Sequence, residues 1–329
     1  MSVLKISYKM RWPGMRILVT GASGYIGGKL VDVLSGKDWV EHIVGTDIKP
    51  PHKKNPRCKF DIRDVRAPMD DLFTDEGIDT VVHAAYVLPP IHDTALMEDI
   101  NKNGTRNILN TAAKYNIRQI LYTSSTTAYG FHPDNDIPLT EKSPLRGNDD
   151  MTYAKNKKEI EKIMSDFAAD HPEISLSTVR PCFVVGPGFN NPMAEHLRKK
   201  LVMIPANTRP WQFVHEDDLI AVMALLLEKR IAGVFNVTAD GTLTFKEMIR
   251  MLGNIALPVP WPVIYPLNQL AWIMRLWFMT KFPSPAMRMM VEPWIATSEK
   301  LVRETGYQFQ YDSRAAFADF VRSVRSDKA

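Results

Sequence analysis

An α/β fold is predicted, built on a doubly wound parallel sheet and followed by a smaller C-terminal lobe, and three observations predict it. From Met15 to about Gly186, short β-branched runs alternate with helical stretches, a pattern that pairs strands in parallel and lays helices on both faces. A glycine-rich turn stands between the first strand and the first helix. After Pro187 the composition shifts: proline is dense between Pro258 and Pro293, and tryptophan recurs at Trp211, Trp261, Trp272, Trp277 and Trp294. The 329 residues carry 41 Lys+Arg against 37 Asp+Glu, a net charge of +4, with 45% hydrophobic and 24% charged residues. These globular values exclude a disordered or low-complexity chain, and no basic, aromatic-interleaved stripe suggests nucleic acid.

The elements follow in order. Arg16–Thr20 reads as a buried strand and Gly27–Leu34 as the helix behind it, then His42–Asp47 and Thr80–His83 as strands. Asp99–Tyr115 has helical apolar spacing, Gln119–Ser124 is a strand, Tyr153–Ala168 a helix and Ser175–Val185 a strand. Further on, Asp217–Lys229 reads as a helix and Gly233–Val237 as a strand, so residues well downstream are expected to complete the sheet. Residues 1–14, with Lys5, Lys9 and Arg11 and no acid, form an N-terminal extension without the apolar run of a signal peptide. Residues 15–181 are expected to bind a dinucleotide. Residues 182–329 form the substrate lobe, with elements around 213–238 returning to the sheet.

The strand-to-helix turn reads TGASGYIG, Thr20–Gly27. Gly21 permits the tight turn, Gly24 lets the backbone approach a pyrophosphate, and Gly27 lets helix and strand pack closely. The helix N-terminus then offers free N–H groups to the phosphates. Asp47 closes the second strand, twenty positions after Gly27. A carboxylate there accepts the adenosine ribose hydroxyls and repels a 2′-phosphate, which favours NAD over NADP, although Lys49, Lys53 and Lys54 soften that exclusion.

Tyr153 and Lys157 stand at i and i+4 and so share one helix face. A tyrosine with a pKa of about 10 is a poor base near neutrality, but an adjacent ammonium and an oxidised nicotinamide both favour its phenolate. The strand Gln119–Ser124 runs into Ser124, Ser125, Thr126 and Thr127, any of which can offer a hydroxyl to a substrate oxygen. Asn101 supplies an amide for a water or for the network beside the lysine.

Taken in order, TGASGYIG, GTDI, FDIRD, VVHAA, NKNGT, LYTSSTTAYG, YAKNK, RPCFVVGPG, FVHEDDL and SEKLVRETGY cover about Met15 to Tyr307. In this conjunction the chain resembles an extended short-chain dehydrogenase/reductase of the NAD-dependent epimerase/dehydratase group. That resemblance implies a Rossmann-type NAD domain, a C-terminal substrate lobe and a homodimer. It makes Tyr153 the general acid/base, Lys157 the ribose-binding partner that lowers its pKa, Ser125 the catalytic hydroxyl and Asn101 a structural amide of the catalytic group. It extends the cofactor contacts to Ser23, Tyr25 and Ile26 in the loop, to Asp61 and Ile62 at the adenine edge, and to Ala84, Ala85 and Pro181.

Two departures bear on the chemistry. Thr126–Thr127 replace the Asp-Glu pair that dehydratases of this group use to eliminate water, which argues against that reaction. Phe183 stands where sugar-nucleotide enzymes of the group carry Asn, and with the Trp- and Met-rich lobe it points to an apolar, sterol-like substrate beside Ser125, Thr126 and Phe183. Arg180, Arg209 and His215 remain candidates for binding an anion, while Asp217 and Asp218 are expected to cap a helix. The leading expectation is an NAD-dependent oxidoreductase or epimerase acting on a secondary alcohol or ketone. A nucleotide-sugar epimerase is the alternative, and an NAD(H)-sensing or scaffold protein the non-enzymatic one. Cys58 and Cys182 lack metal-ligand spacing and read as free thiols in a cytoplasmic protein. Trp261–Met279 is apolar but interrupted by Pro262, Pro266 and Arg275, which disfavours a membrane span and leaves peripheral membrane contact through 261–279 open.

Overall fold

The computed structural model describes residues 14–88 and 91–326; Lys5, Lys9 and Arg11 of the extension lie outside them. The chain runs β1 (Met15–Thr20), α1 (Tyr25–Ser35), β2 (Val40–Asp47), β3 (Cys58–Ile62), α2 (Asp70–Asp75), β4 (Thr80–His83), α3 (Thr94–Lys114) and β5 (Gln119–Thr123). A short 3₁₀ turn, Thr126–Tyr129, precedes α4 (Thr152–Asp170) and β6 (Ser175–Pro181). Then come β7 (Phe183–Val185), α5 (Pro192–Leu197), β8 (Leu201–Pro205), β9 (Phe213–His215), α6 (Glu216–Glu228) and β10 (Gly233–Val237). The chain ends with α7 (Phe245–Met251), β11 (Ile255–Val259), α8 (Trp261–Ile273), α9 (Arg288–Val291), α10 (Glu299–Thr305) and α11 (Ser313–Ser326).

Seven parallel strands form the main sheet in the order β3-β2-β1-β4-β5-β6-β10. Because strand side chains alternate, each central strand feeds two layers. Ile17, Val19, Val82, Leu121 and Val179 pack under α1 and α6. Leu18, Val81, Ile120 and Tyr122 pack on the opposite side, under α2, α3 and α4. The order reverses between β1 and β4, so a crevice opens at the strands' carboxyl ends there. A third cluster, rich in aromatic rings (Tyr129, Phe131, Phe189, Trp211, Phe245, Phe317), forms the core of the lobe.

The return of β10 to the sheet is as expected, but the expected strand Ser175–Val185 is two strands. Pro181 has no N–H to continue a ladder, and after it the chain leaves β10 and pairs β7 with β9, register Phe183↔Phe213. The long helix starts five residues earlier than predicted, at Thr94, capped by Asp93 whose Oδ1 accepts the Leu96 N–H at 2.9 Å. The cap of α6 is also corrected: His215 Nδ1 accepts the Asp217 N–H at 3.1 Å. Asp217 and Asp218 lie within its first turn, where their charge favours the dipole. Asp218 further ties down the C-terminal segment by accepting from Tyr307 Oη at 2.7 Å and from Gln310 N at 2.9 Å. Cys58 and Cys182 are both free.

Candidate active site

The glycine loop leaves β1 at the point where the strand order reverses. Gly21 adopts φ +70°, and a Cβ there would sit 2.6 Å from Ala85 N, so both its conformation and its closeness to the end of β4 require glycine. At Gly27 a Cβ would meet Gly21 O at 2.2 Å, which lets α1 dock on the loop only without a side chain. Gly24 caps α1 with no side-chain hydrogen bond, and the first turn, Tyr25–Ile26–Gly27, holds no acid. Its N–H groups are therefore left for an anion.

Asp47 ends β2 beside this loop. Its Oδ2 accepts the Ser23 N–H at 3.1 Å and its Oδ1 the Ile48 N–H at 2.7 Å, which fixes the carboxylate at the rim. On the neighbouring strand Ile62 pairs in register with Asp47 and is 62% exposed, as is Ile48. Together they form an apolar wall at the cleft edge, and Asp61 is held by Arg63 Nε at 2.8 Å. The N–H groups of Ala84 and Ala85 go to Thr20 O and Thr20 Oγ1, both at 3.2 Å, so this pair shapes the floor of the crevice. The Tyr25 hydroxyl donates to Glu216, which also pairs with Lys29. The uncapped, acid-free helix start and the open Ile48–Ile62 edge around a carboxylate fit the diphosphate and adenosine of NAD.

The proton-transfer group adjoins the same crevice, since Ala85 abuts Gly21 and the next residue, Tyr86, stands edge-on to Tyr153 with ring centroids 5.4 Å apart. Lys157 is 3% exposed. Its Nζ donates to Thr123 O at 2.9 Å and to Tyr122 Oη at 3.3 Å, and lies 3.9 Å from the Tyr86 ring centroid and 6.0 Å from that of Tyr153. Among the described residues no carboxylate ion-pairs with it. Burial therefore pushes its pKa down to about 7, partly opposed by the charge of Glu161. Burial raises the Tyr153 phenol, while the hydroxyls of Ser125 and Thr127 act in the other direction. Ser125 Oγ also accepts the Thr127 N–H at 3.2 Å, which orients the turn. Nearby His83 bridges Thr20 and Thr105 through its two ring nitrogens at 2.8 and 2.9 Å, and burial followed by the Lys157 charge pushes its pKa to about 3, so it is neutral.

Several predicted residues have other duties. The Asn101 amide accepts the Val87 N–H at 2.8 Å and donates to Val87 O at 3.5 Å, so it holds the loop after β4, and it also meets the phenol of Tyr86, the ring on which Lys157 rests. Thr126 is fully buried, and its hydroxyl donates to Pro181 O at 3.3 Å. Arg180 is no anion site: it is buried in a bidentate pair with Glu161, Nε to both oxygens at 2.9 Å. His215 caps α6, stacks on Tyr311 and meets Asp319 at 3.2 Å. Phe183 is half-buried and packs on Trp211 at 4.7 Å and Phe189 at 5.4 Å, giving the lobe side an aromatic wall.

Sequence reasoning passed over Tyr86, Tyr122, Ile48 and Glu161. Tyr86 directly follows the VVHAA stretch, so its position was a usable signal. The buried Asn156 amide lies by the Tyr86 phenol, and the buried Thr127 hydroxyl by that of Tyr153.

A glycine loop at the first crossover of a parallel sheet, with a Tyr-x-x-x-Lys helix at its rim, defines the extended short-chain dehydrogenase/reductase class. A profile of the NAD-dependent epimerase/dehydratase family matches residues 17–238, and the chain belongs to that family; its cofactor is NAD. An uncharacterised protein of Mycobacterium tuberculosis is 26% identical over 315 residues, covering 93% of this chain and 83% of its own. The N-acetyl-α-D-glucosaminyl-diphospho-ditrans,octacis-undecaprenol 4-epimerase of Escherichia coli O157:H7 is 25% identical over 244 residues, 71% of this chain and 70% of its own. In fold, the UDP-glucose 4-epimerase of Thermotoga maritima superposes with a TM-score of 0.77 at 18% identity, over 96% of this chain and 100% of the other. The NAD complex of dTDP-glucose 4,6-dehydratase from Bacillus anthracis gives 0.76 at 16% identity, over 96% and 98%.

Proposed function

We propose that the protein is an NAD-dependent oxidoreductase or epimerase of a secondary alcohol or ketone, working through Tyr153, Lys157 and Ser125. The observation that carries this reading is a buried lysine with no carboxylate partner among the described residues, its Nζ 6.0 Å from the Tyr153 ring and next to the glycine-loop crevice. Bound NAD supplies hydride acceptance, and its return, at the nicotinamide ring. Tyr153 takes the hydroxyl proton as its phenolate, which the Lys157 ammonium favours, and returns it when the carbonyl is reduced. Ser125 donates to the substrate oxygen and keeps it aligned for that exchange. The Ser125–Thr126–Thr127 turn carries no acid, so water elimination has no proton-transfer group there.

The aromatic wall at Phe183 supports a substrate with an apolar portion beside the reacting alcohol. The Escherichia coli relative, which its name describes as acting on a sugar carried by diphospho-undecaprenol, supports a sugar head on such an apolar group. A nucleotide sugar is the second reading, favoured by the UDP-glucose 4-epimerase of Schizosaccharomyces pombe, 28% identical over 211 residues. A panel of polyprenyl-diphosphate sugars, nucleotide sugars and sterols separates these, and lasting NADH absorbance separates a dehydrogenase from an epimerase. Tyr153→Phe should retain NAD binding and lose turnover by about 10²–10⁴-fold. Unchanged activity in that variant would instead favour an NAD(H) sensor or scaffold.

A further inference from the structure

Apolar side chains are concentrated on one face of the lobe. Strands β8 and β11 form a two-stranded parallel ribbon in which Leu201 pairs with Ile255 and Met203 with Leu257. All four are exposed, whereas Val202 and Ile204 point into the lobe core. Helix α8 continues this face with Val263, Leu267, Leu270 and Ile273, the last 64% exposed, and the turn after it adds Trp277 and Phe278, the latter 77% exposed. A groove of about 280 Å³ between β8 and α8 is lined by Met203, Leu267 and Phe278, so ribbon, helix and turn make one surface. Eleven of the seventeen exposed large hydrophobic residues among the described residues lie here, a concentration that marks an interaction site.

Charge identifies the occupant. From Met248 to Val291 there is no Asp or Glu, while Arg250, Arg275, Lys281 and Arg288 supply four cations. That equals the net +4 of the whole chain, so the remainder is neutral. Arg288 is engaged with Asp150 and Lys281 with Glu195, but Arg275 is exposed at the end of α8, and Lys199 and Lys200 flank the ribbon. A second copy is a poor occupant, because a two-fold contact sets a surface against itself and would bring these cations together. Helix α8 has 13 residues, and no helix of the described residues is long and apolar enough to cross a membrane. A short apolar helix with Trp and Phe at its end and basic residues around it lies in the plane of a lipid interface.

We infer that the face formed by β8, β11, α8 and the turn at Trp277–Phe278 docks on an anionic lipid bilayer. Helix α8 is tied to the segment that follows β4: His92, nine residues beyond it, stacks on Trp272 with ring centroids 4.2 Å apart and bonds Trp272 O at 3.1 Å. This inference goes beyond the proposed reaction and does not rest on it.

The test is flotation of the full chain with vesicles of phosphatidylcholine alone or mixed with phosphatidylglycerol, at low and high salt. The protein should float with the anionic vesicles and be released in part by salt. Ile273→Glu/Phe278→Glu should lower the bound fraction by about tenfold or more, because two apolar anchors are replaced by charge. Arg275→Glu should remove the preference for anionic lipid. NAD titration of the same samples should be unchanged, which shows that the variants fold and keeps this test separate from that of the reaction. Three outcomes overturn the proposal: no flotation of the native chain, equal flotation of the double variant, or a vesicle-free dimer that Phe278→Glu splits into monomers.

Discussion

Lys157 illustrates how a catalytic group can work against the stability of the protein that holds it. Burial puts its folded-state pKa at about 7, with Glu161 opposing the shift, whereas a lysine in an unfolded chain titrates near 10.4. Between those values the unfolded chain holds a proton that the native state has released, so stability of the coenzyme-free protein rises with pH from about 7 to about 10. Below that window both states are charged and the burial penalty is present in full. Lys157→Met removes the charge at nearly the same volume. Its Tm should exceed that of the native chain by a few degrees near pH 6, and the gain should shrink steadily through the alkaline range while turnover is lost. A variant that melts below the native chain at acid pH would show that the contacts with Thr123 and the Tyr86 ring outweigh the desolvation.

Elements buried on both faces were legible in the sequence, and elements at edges were not. Strand β1 presents Ile17, Leu18 and Val19, none exposed, so it reads as an unbroken apolar run. Strand β3 is an edge strand with no fully buried residue, so its sequence lacks both the run and a clean alternation. The start of α3 was hidden because its first turns, Thr94–Glu98, are mostly exposed and only Met97 is buried, so no apolar stripe marks them. The glycine loop was legible because it acts through local backbone geometry, which also makes it testable. In Gly27→Ala the new Cβ would lie 2.2 Å from Gly21 O, forcing α1 and the loop apart. Strain of this kind costs about 1–3 kcal/mol, and the displaced N–H groups should lose NAD. Urea unfolding and NAD titration check the two effects, and a variant with native affinity would show that the loop tolerates the displacement.

Across the whole molecule, what the sequence left unread lies in contacts between distant positions. Arg180 on β6 bonds Glu161 on α4, and Ser124 Oγ donates to the same carboxylate at 2.5 Å. Arg180 Nη1 donates to Tyr129 Oη at 2.8 Å, and that hydroxyl donates to Asn236 Oδ1 at 2.7 Å, 107 positions away. The Asn236 amide then donates to Leu139 O and Thr297 O. One buried network thus joins the main sheet to the segments on which the lobe rests, directly below the Ser125 turn. None of these pairings has a spacing that could be recognised along the chain, so Arg180 reads from sequence as a free cation. Tyr129→Phe keeps the ring but leaves an Arg180 N–H and the Asn236 carbonyl unsatisfied. It should destabilise the protein by about 2–4 kcal/mol, and Glu161→Gln, which strands the guanidinium, by about 3–5 kcal/mol. If the network couples sheet and lobe, both variants should also broaden the urea transition monitored by tryptophan fluorescence, because the lobe holds five of the seven tryptophans and would loosen first. Losses below about 0.5 kcal/mol with an unchanged single transition would mean that apolar packing alone joins the two parts.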